Sequence, residues 1–299
     1  MSRSVLFRTS TLACACLLAL SACTERTIEP APVPQATAPI ATTPATPSSI
    51  IDPSELVEPI ALYKLYVIAQ VEQAVADTTR FVETIKAGQR DEAAALYAPS
   101  RQAWERVEPI AELFADLDAS LDARADDYKG AEADPQFTGW HRLEYAIFDR
   151  KSLDDMAPIA DRLLADTLEL QRRIIALPLE PKPVIGGPAV LIEEVAATKI
   201  SGEENRYAGT DLWDFRANVD GSQKIVELFR PLIQRANPQL LADIDANFAT
   251  VDTALETYRR GEGWAHYSEV TDADRNTLKG AITALAEELA QLRGTLGVD

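Results

Sequence analysis

No cysteine lies beyond Cys23, and the other two, Cys14 and Cys16, stand just before it. A disulfide scaffold and a thiolate metal centre are both excluded for the bulk of the chain. Its fold must therefore rest on a hydrophobic core, and any metal on oxygen and nitrogen ligands. Histidine is nearly as scarce, with His141 and His266 alone. That leaves no His-Glu-x-x-His motif for a hydrolytic metal site, and no Ser-His nucleophilic pair is indicated. Basic charge is short as well: 29 Lys and Arg against 47 Asp and Glu give a net charge of −18. This balance argues against nucleic acid as a partner and against holding anionic polysaccharide by charge alone, and it is compatible with attracting cations. No segment alternates with period two, so strands are not expected.

The beginning, "MSRSVLFRTSTLACACLLALSAC", has Arg3 and Arg8, an apolar run from Leu12 to Leu20 and small residues up to Cys23. This is the pattern of a secretory signal over residues 1–22, too short to span a membrane stably. "LSAC" resembles a bacterial lipobox, which predicts Cys23 as the lipidated first residue of a membrane-anchored periplasmic or cell-surface protein. Losing the signal removes two positive charges and no acid, taking the net charge from −18 to −20. Residues 23–50 are rich in Pro, Ala and Thr and poor in large apolar groups, the composition of an unfolded tether.

From Ile51 onward the pattern changes. Leu56, Ile60, Tyr63, Val67, Val71, Val75, Val82 and Ile85 recur at helical steps and end at Gly88. Similar periodicity predicts helices over Ala93–Phe114, Phe137–Phe148, Leu153–Leu177, Pro188–Ile200, Leu212–Ala236, Pro238–Arg260 and Asp272–Leu296. Asp52 with Pro53, Asn237 with Pro238, and Thr271 mark starts; Gly88, Pro178 and Gly261 mark stops. The fold class is all-α, with roughly eight helices packed as antiparallel bundles. The proline-rich stretch "LPLEPKPVIGGP" divides the domain into two four-helix-bundle-like halves, about 51–178 and 188–296, that share a core.

"GWHRLEYAIF" places His141 and Glu144 at i, i+3 on one helix face, a chelating geometry inside a run that otherwise reads as buried. "WERVEPIAELF" does the same with Glu105 and Glu108, where Pro109 either kinks the helix or opens a new one. "DLDASLDARADD" has the acids of a calcium loop without its glycine and closing glutamate. Asp211 and Asp214 open a helix in "TDLWDF", where Asp211 alone reads as an N-cap. Glu203 and Glu204 read as a solvated loop. If Glu105, Glu108, His141 and Glu144 converge, their repulsion calls for a balancing cation. A metal supplies one, and pairing with Arg106, Arg124 and Arg142 is the rival. Paired carboxylates with a helix-borne His and Glu are how di-iron bundles build their sites. The donor set suits iron, manganese or calcium and admits zinc.

These motifs, together with "ATKISGEENRYAGTDLWDFRANVDGSQK" and "LFRPL", resemble the imelysin-like domain of the EfeO/EfeM family of periplasmic iron-uptake proteins over nearly all of 51–296. The resemblance implies an all-helical, two-bundle protein that binds iron and serves a membrane iron permease and, in some systems, a haem-type peroxidase. It maps the metal ligands onto His141, Glu144, Glu105, Glu108, Asp122 and Asp211. Longer members carry an N-terminal cupredoxin domain; the tether here lacks the Cys, His and Met of a copper site, so the short EfeM-like form is the closer match. Two other functions remain open. One is a metallopeptidase, a class with which imelysin-like domains have been grouped. The other is a metal-dependent binder of an alginate-like polysaccharide, with Trp140, Tyr207 and Trp213 as sugar platforms.

Overall fold

The computed structural model describes residues 51–299. The expected signal, Cys23 and the tether lie outside the described residues. Asp52 caps the first turn through its bond from the Ser54 amide, completed by Glu55 reaching back to the Asp52 amide. Helix α1, Val57–Lys86, follows and buries Tyr63, Val67, Val71, Val82 and Ile85 of the expected positions and Phe81 besides, while Ile60 and Val75 are half-buried. Its 30 residues give a rod of about 45 Å. Helices α2 (Arg90–Glu105) and α5 (Ala157–Ala176) pack along it, and the short α4 (Gly139–Glu144) packs on α2 and α5.

A second set comprises α6 (Pro181–Ala197), α7 (Asp211–Ala236), α8 (Pro238–Glu256) and α9 (Asp272–Leu289), with α6 on α9 and α7 and α8 on α9 and α7. Asn237 and Thr271 cap α8 and α9 as their residue types predict. The short α10, Leu292–Leu296, lies against α6 and α7. Helix α7 also contacts α1 and α2, so both sets share one apolar core. No described helix is long and apolar enough to cross a membrane.

Three departures from the helical periodicity bear on the site. The run expected as one helix, Ala93–Phe114, breaks after Glu105, and a 3-10 turn, Glu108–Phe114, begins after Arg106 and Val107. Pro109 has no amide to donate back to the Glu105 carbonyl, so the α-helical ladder cannot continue. Helix α6 starts at Pro181 and carries Pro188 inside it, so the proline-rich break shrinks to the four residues 177–180. Prolines in a first helical turn cost no backbone bond, which is why the helix begins earlier than the sequence suggests. Finally, Arg259–Arg260 and Gly263–Trp264 pair as a small antiparallel ladder, β1 and β2, across a turn.

Two glycines set the approach of segments that carry the acids. Gly187 on α6 faces the Pro109 carbonyl so closely that a Cβ would stand 1.9 Å from its oxygen. Gly139, at φ +76°, starts α4, and a Cβ there would meet the Leu121 carbonyl oxygen at 2.2 Å. Gly139→Ala adds about 1–3 kcal/mol of backbone strain to that clash. It should lower the urea midpoint of unfolding and shift the ring resonances of His141; an unchanged midpoint would show that α4 needs no such approach.

Candidate metal centre

The elements converge on a charged centre walled by aromatic rings. At its middle is Arg101 from α2, whose side chain is 0% exposed. Its guanidinium donates to Glu105 Oε1 (2.5 Å), Asp214 Oδ2 (3.0 Å), Glu204 Oε1 (3.2 Å) and Asp122. It also lies 5.6 Å from the ring of Trp140 and 5.9 Å from that of Tyr97. Lys199, between α6 and α7, makes a second cationic hub: its ammonium meets Glu108 Oε1 at 2.8 Å, Glu105 Oε2 at 3.3 Å and Glu204 Oε1 at 3.3 Å. Asn218 of α7 donates to Glu105 Oε2 and Glu108 Oε2. The break at Pro109 is what lets both glutamates face these partners.

His141 stands beside this centre, also buried. Its Nδ1 donates to Glu144 Oε2 at 2.9 Å, and its Nε2 faces Asp122 Oδ1 at 3.4 Å without a well-aligned hydrogen bond. Glu144 is held in turn: its Oε1 accepts from the amides of Tyr207 and Ala208, on the loop before α7. A π-helical turn, Tyr145–Asp149, follows directly, the kind of bulge often found at functional positions. Asp122 closes α3 (Ala115–Leu121) and accepts from Trp104 Nε1 at 3.0 Å.

Three overlapping groups offer ligand atoms within 4.8 Å of one another: Asp122 with His141 and Glu204; Glu105 with Glu204 and Asp214; and Glu105 with Glu108 and Asp122. Of the six ligands expected from sequence, the structure thus gathers Glu105, Glu108, Asp122 and His141. Glu144 belongs to none of the groups, because both its oxygens are spent on the imidazole and the 207–208 backbone. Asp211 is one turn before Asp214, where its Oδ1 accepts from the Asn205 amide, and it too lies outside them. The N-cap of α7 is Thr210, not Asp211.

The solvated-loop reading of Glu203 and Glu204 is half right. Glu203 is exposed and paired with Arg206, whereas Glu204 is buried between Arg101, Lys199 and Arg124. Of the three arginines expected to pair the acids, Arg124 reaches Glu204. Arg106 pairs with Asp220, and Arg142 binds the Glu132 carbonyl and packs over Phe137 and Tyr145. Arg101, Lys199 and Asn218 escaped sequence reasoning, which named Glu204 and Asp214 without giving either a place in the site. The signal for Arg101 was present, since it is four residues before Glu105 on one helix face. Trp140 is fully buried, stacked on Trp104, and so cannot serve as a sugar platform. His266 is exposed and hydrogen-bonded to Ser268.

Burial and opposed charges spread the acidities. Burial raises Glu105, and raises Glu108 to about 7, Asp211 to about 7 and Asp214 to about 8, against the pull of Lys199 or Arg101 where they touch. Burial also opposes the charged form of Asp122, but Arg101 and His141 outweigh it and hold that carboxyl well below its usual range. For His141, burial and Arg101 favour the neutral ring, and the Asp122 and Glu144 carboxylates overcome both, lifting it to about 9.

For Glu108, Asp211, Asp214 and His141 the folded value exceeds the unfolded one, so each stabilises fully below its unfolded value and loses that contribution as pH rises through the folded one. Asp122 acts oppositely, its contribution fading below about pH 4. The melting temperature of metal-free protein should therefore peak near about pH 5 and fall toward about pH 9. A calorimetric scan showing stability rising from pH 5 to 8 would contradict this charge assignment.

The centre is not sealed. Glu108, Asp122, Lys199 and Glu204 line one wall of a cleft of about 850 Å³ between the 108–127 segment, α6 and the end of α9. Acids outnumber bases along it, so the cleft draws cations toward the carboxylates.

Residues 59–292 match the imelysin family model. The chain is 60% identical over 240 residues to proteins of Escherichia coli (strain K12) and Shigella flexneri, each named "Iron uptake system component EfeO". The aligned stretch covers 80% of this chain and 64% of either relative, so the chain spans under two thirds of their length. Together, the helical architecture, the acidic and histidine motifs brought to one centre and this match over most of the sequence place the chain in the imelysin family, with EfeO among its similar members.

Proposed function

We propose that this chain is the extracytoplasmic iron-binding component of an Efe-type uptake system. It captures iron through the acidic cleft, holds it with carboxylates and one imidazole, and passes it to a membrane iron permease. The observation that carries this reading is the convergence of Asp122, His141 and Glu204 ligand atoms within 4.8 Å of one another, with Asp122 and Glu204 also lining the acidic cleft and His141 buried behind them. Hard oxygen donors with one nitrogen suit iron in either common oxidation state and also admit zinc. The buried Nε2 of His141, without a hydrogen-bond partner, is a lone pair available to an ion once its proton leaves. Glu144 then acts behind it, fixing the ring through Nδ1 as carboxylates do for metal-bound histidines. Glu105, Glu108 and Asp214 complete the negative surround, and Asp211 supports the loop that carries Glu204.

The reading is one of binding and transfer rather than hydrolysis, and it includes anchoring through a lipid on Cys23 and a haem-type peroxidase as a further partner in some systems. Anaerobic calorimetric titration of ferrous iron into purified protein tests the binding: saturable uptake at a fixed stoichiometry supports it, and no heat and no retained iron would reject it. Cys23→Ser should move the protein from the membrane to the soluble fraction, and wild-type protein already soluble and without acyl mass would remove the anchor from the proposal.

A further inference from the structure

Lys199 is buried where a lysine is costly, with its side chain 3% exposed and its ammonium shared among Glu105, Glu108 and Glu204. Three donors meet three carboxylates, so the ammonium fills a cation position that the surrounding acids define. Arg101 meets its carboxylates differently. It leaves from the last third of α2, is pinned by four acids and two aromatic faces, and does not line the cleft. Lys199 opens a three-residue 3-10 turn that ends at Gly202, and it does line the cleft, beside Glu108, Asp122 and Glu204. Its flexible four-carbon stem has an exit that the arginine lacks.

We propose that the Lys199 ammonium is an exchangeable internal cation, and that a metal ion enters the centre by displacing it into the cleft. This rests on the metal-binding reading above. An ion held by Asp122, His141 and Glu204 shares the Glu204 carboxylate with Lys199, and an ion held by Glu105, Glu108 and Asp122 takes two of its partners outright. Glu204 already carries Arg101, Arg124 and Lys199, so a further cation in this desolvated centre is repelled by all three, and of the two fully buried ones Arg101 is pinned while Lys199 borders the cleft. The exchange also keeps the acids compensated in both states, so the empty site does not fly apart by self-repulsion. It makes Lys199 a determinant of specificity: a monovalent ion gains nothing by replacing an equal charge that already has its contacts, whereas a divalent or trivalent ion does.

Zinc serves as a redox-inert probe. Purified wild-type protein is treated with an amine-acetylating reagent at neutral pH, with and without saturating zinc, and acetylation of Lys199 is followed by peptide mass spectrometry. Lys199 should be protected without metal and acetylated at least about tenfold faster with zinc bound. In parallel, Lys199→Met should bind zinc at least about tenfold more tightly by calorimetry, since no ammonium has to leave. Zinc binding with Lys199 still protected overturns the displacement, whatever the variant does. Should Lys199→Met fail to fold, the labelling of wild-type protein decides alone. If zinc and iron both fail to bind wild-type protein, the metal-binding reading falls first and this inference with it.

Discussion

Replacing Arg101 by methionine should be the most damaging single substitution in the chain, costing about 3–5 kcal/mol, the range for removing one partner of a buried ion pair. The side chain is completely buried and compensates Glu105, Asp122, Glu204 and Asp214 together, so methionine would fill much of the volume and leave four acids facing one another. Lys199 reaches two of these, and His141 a third, but Asp214 would keep only its bond from Asn205. For a domain of this size the loss corresponds to roughly 6–20 °C in melting temperature. The deficit should shrink toward pH 5, because Glu108 (about 7) and Asp214 (about 8) then hold protons and repel less. Thermal melts followed by circular dichroism at about pH 5 and about pH 8 check both statements. A variant as stable as wild type at pH 8 would mean that the acids are compensated some other way.

The second large effect concerns metal. Asp122→Asn with His141→Ala removes two of the three groups, Asp122, His141 and Glu204, offered to an ion and should weaken iron or zinc binding by well over about 100-fold. Partners behind a ligand typically cost about 10–100-fold, and direct ligands cost more. Glu144→Gln is the informative companion. It keeps the size and one acceptor oxygen but weakens the grip on the His141 ring, so it should cost about tenfold and leave the stoichiometry unchanged. Calorimetric titration of the two proteins separates the roles. Equal losses would make Glu144 a ligand after all, and no loss in the double variant would return His141 to a hydrogen-bonded core histidine.

The helical architecture was legible because it depends on periodicity, and the buried face of α1 follows the apolar positions of its sequence. The chelating pair at 141 and 144 was legible for a related reason, since i, i+3 spacing fixes which side chains share a face. What each oxygen does there was not. Glu144 is turned to the 207–208 backbone by a loop more than sixty residues away, and no local pattern encodes that contact. Glu204 was misread because a polar run between helices resembles a solvated loop, yet tertiary packing buries it against three cations, Arg101, Arg124 and Lys199. Lys199 escaped for the same reason: it pairs with acids some ninety residues earlier in the chain. The proline-rich break was overestimated because prolines that open a helix look like prolines that interrupt one.

Where the ion sits is the property on which capture by carboxylates and one imidazole depends. Crystals of the protein grown or soaked with ferrous iron, measured on both sides of the iron absorption edge, give an anomalous difference map that locates iron independently of any other density. A peak is expected behind the cleft wall, within about 2.0–2.3 Å of His141 Nε2 and of oxygens from Asp122 and Glu204, with the Lys199 ammonium moved into the cleft. A peak confined to the cleft near Asp118 and Glu194, or no peak in protein that retains iron in solution, would contradict this placement.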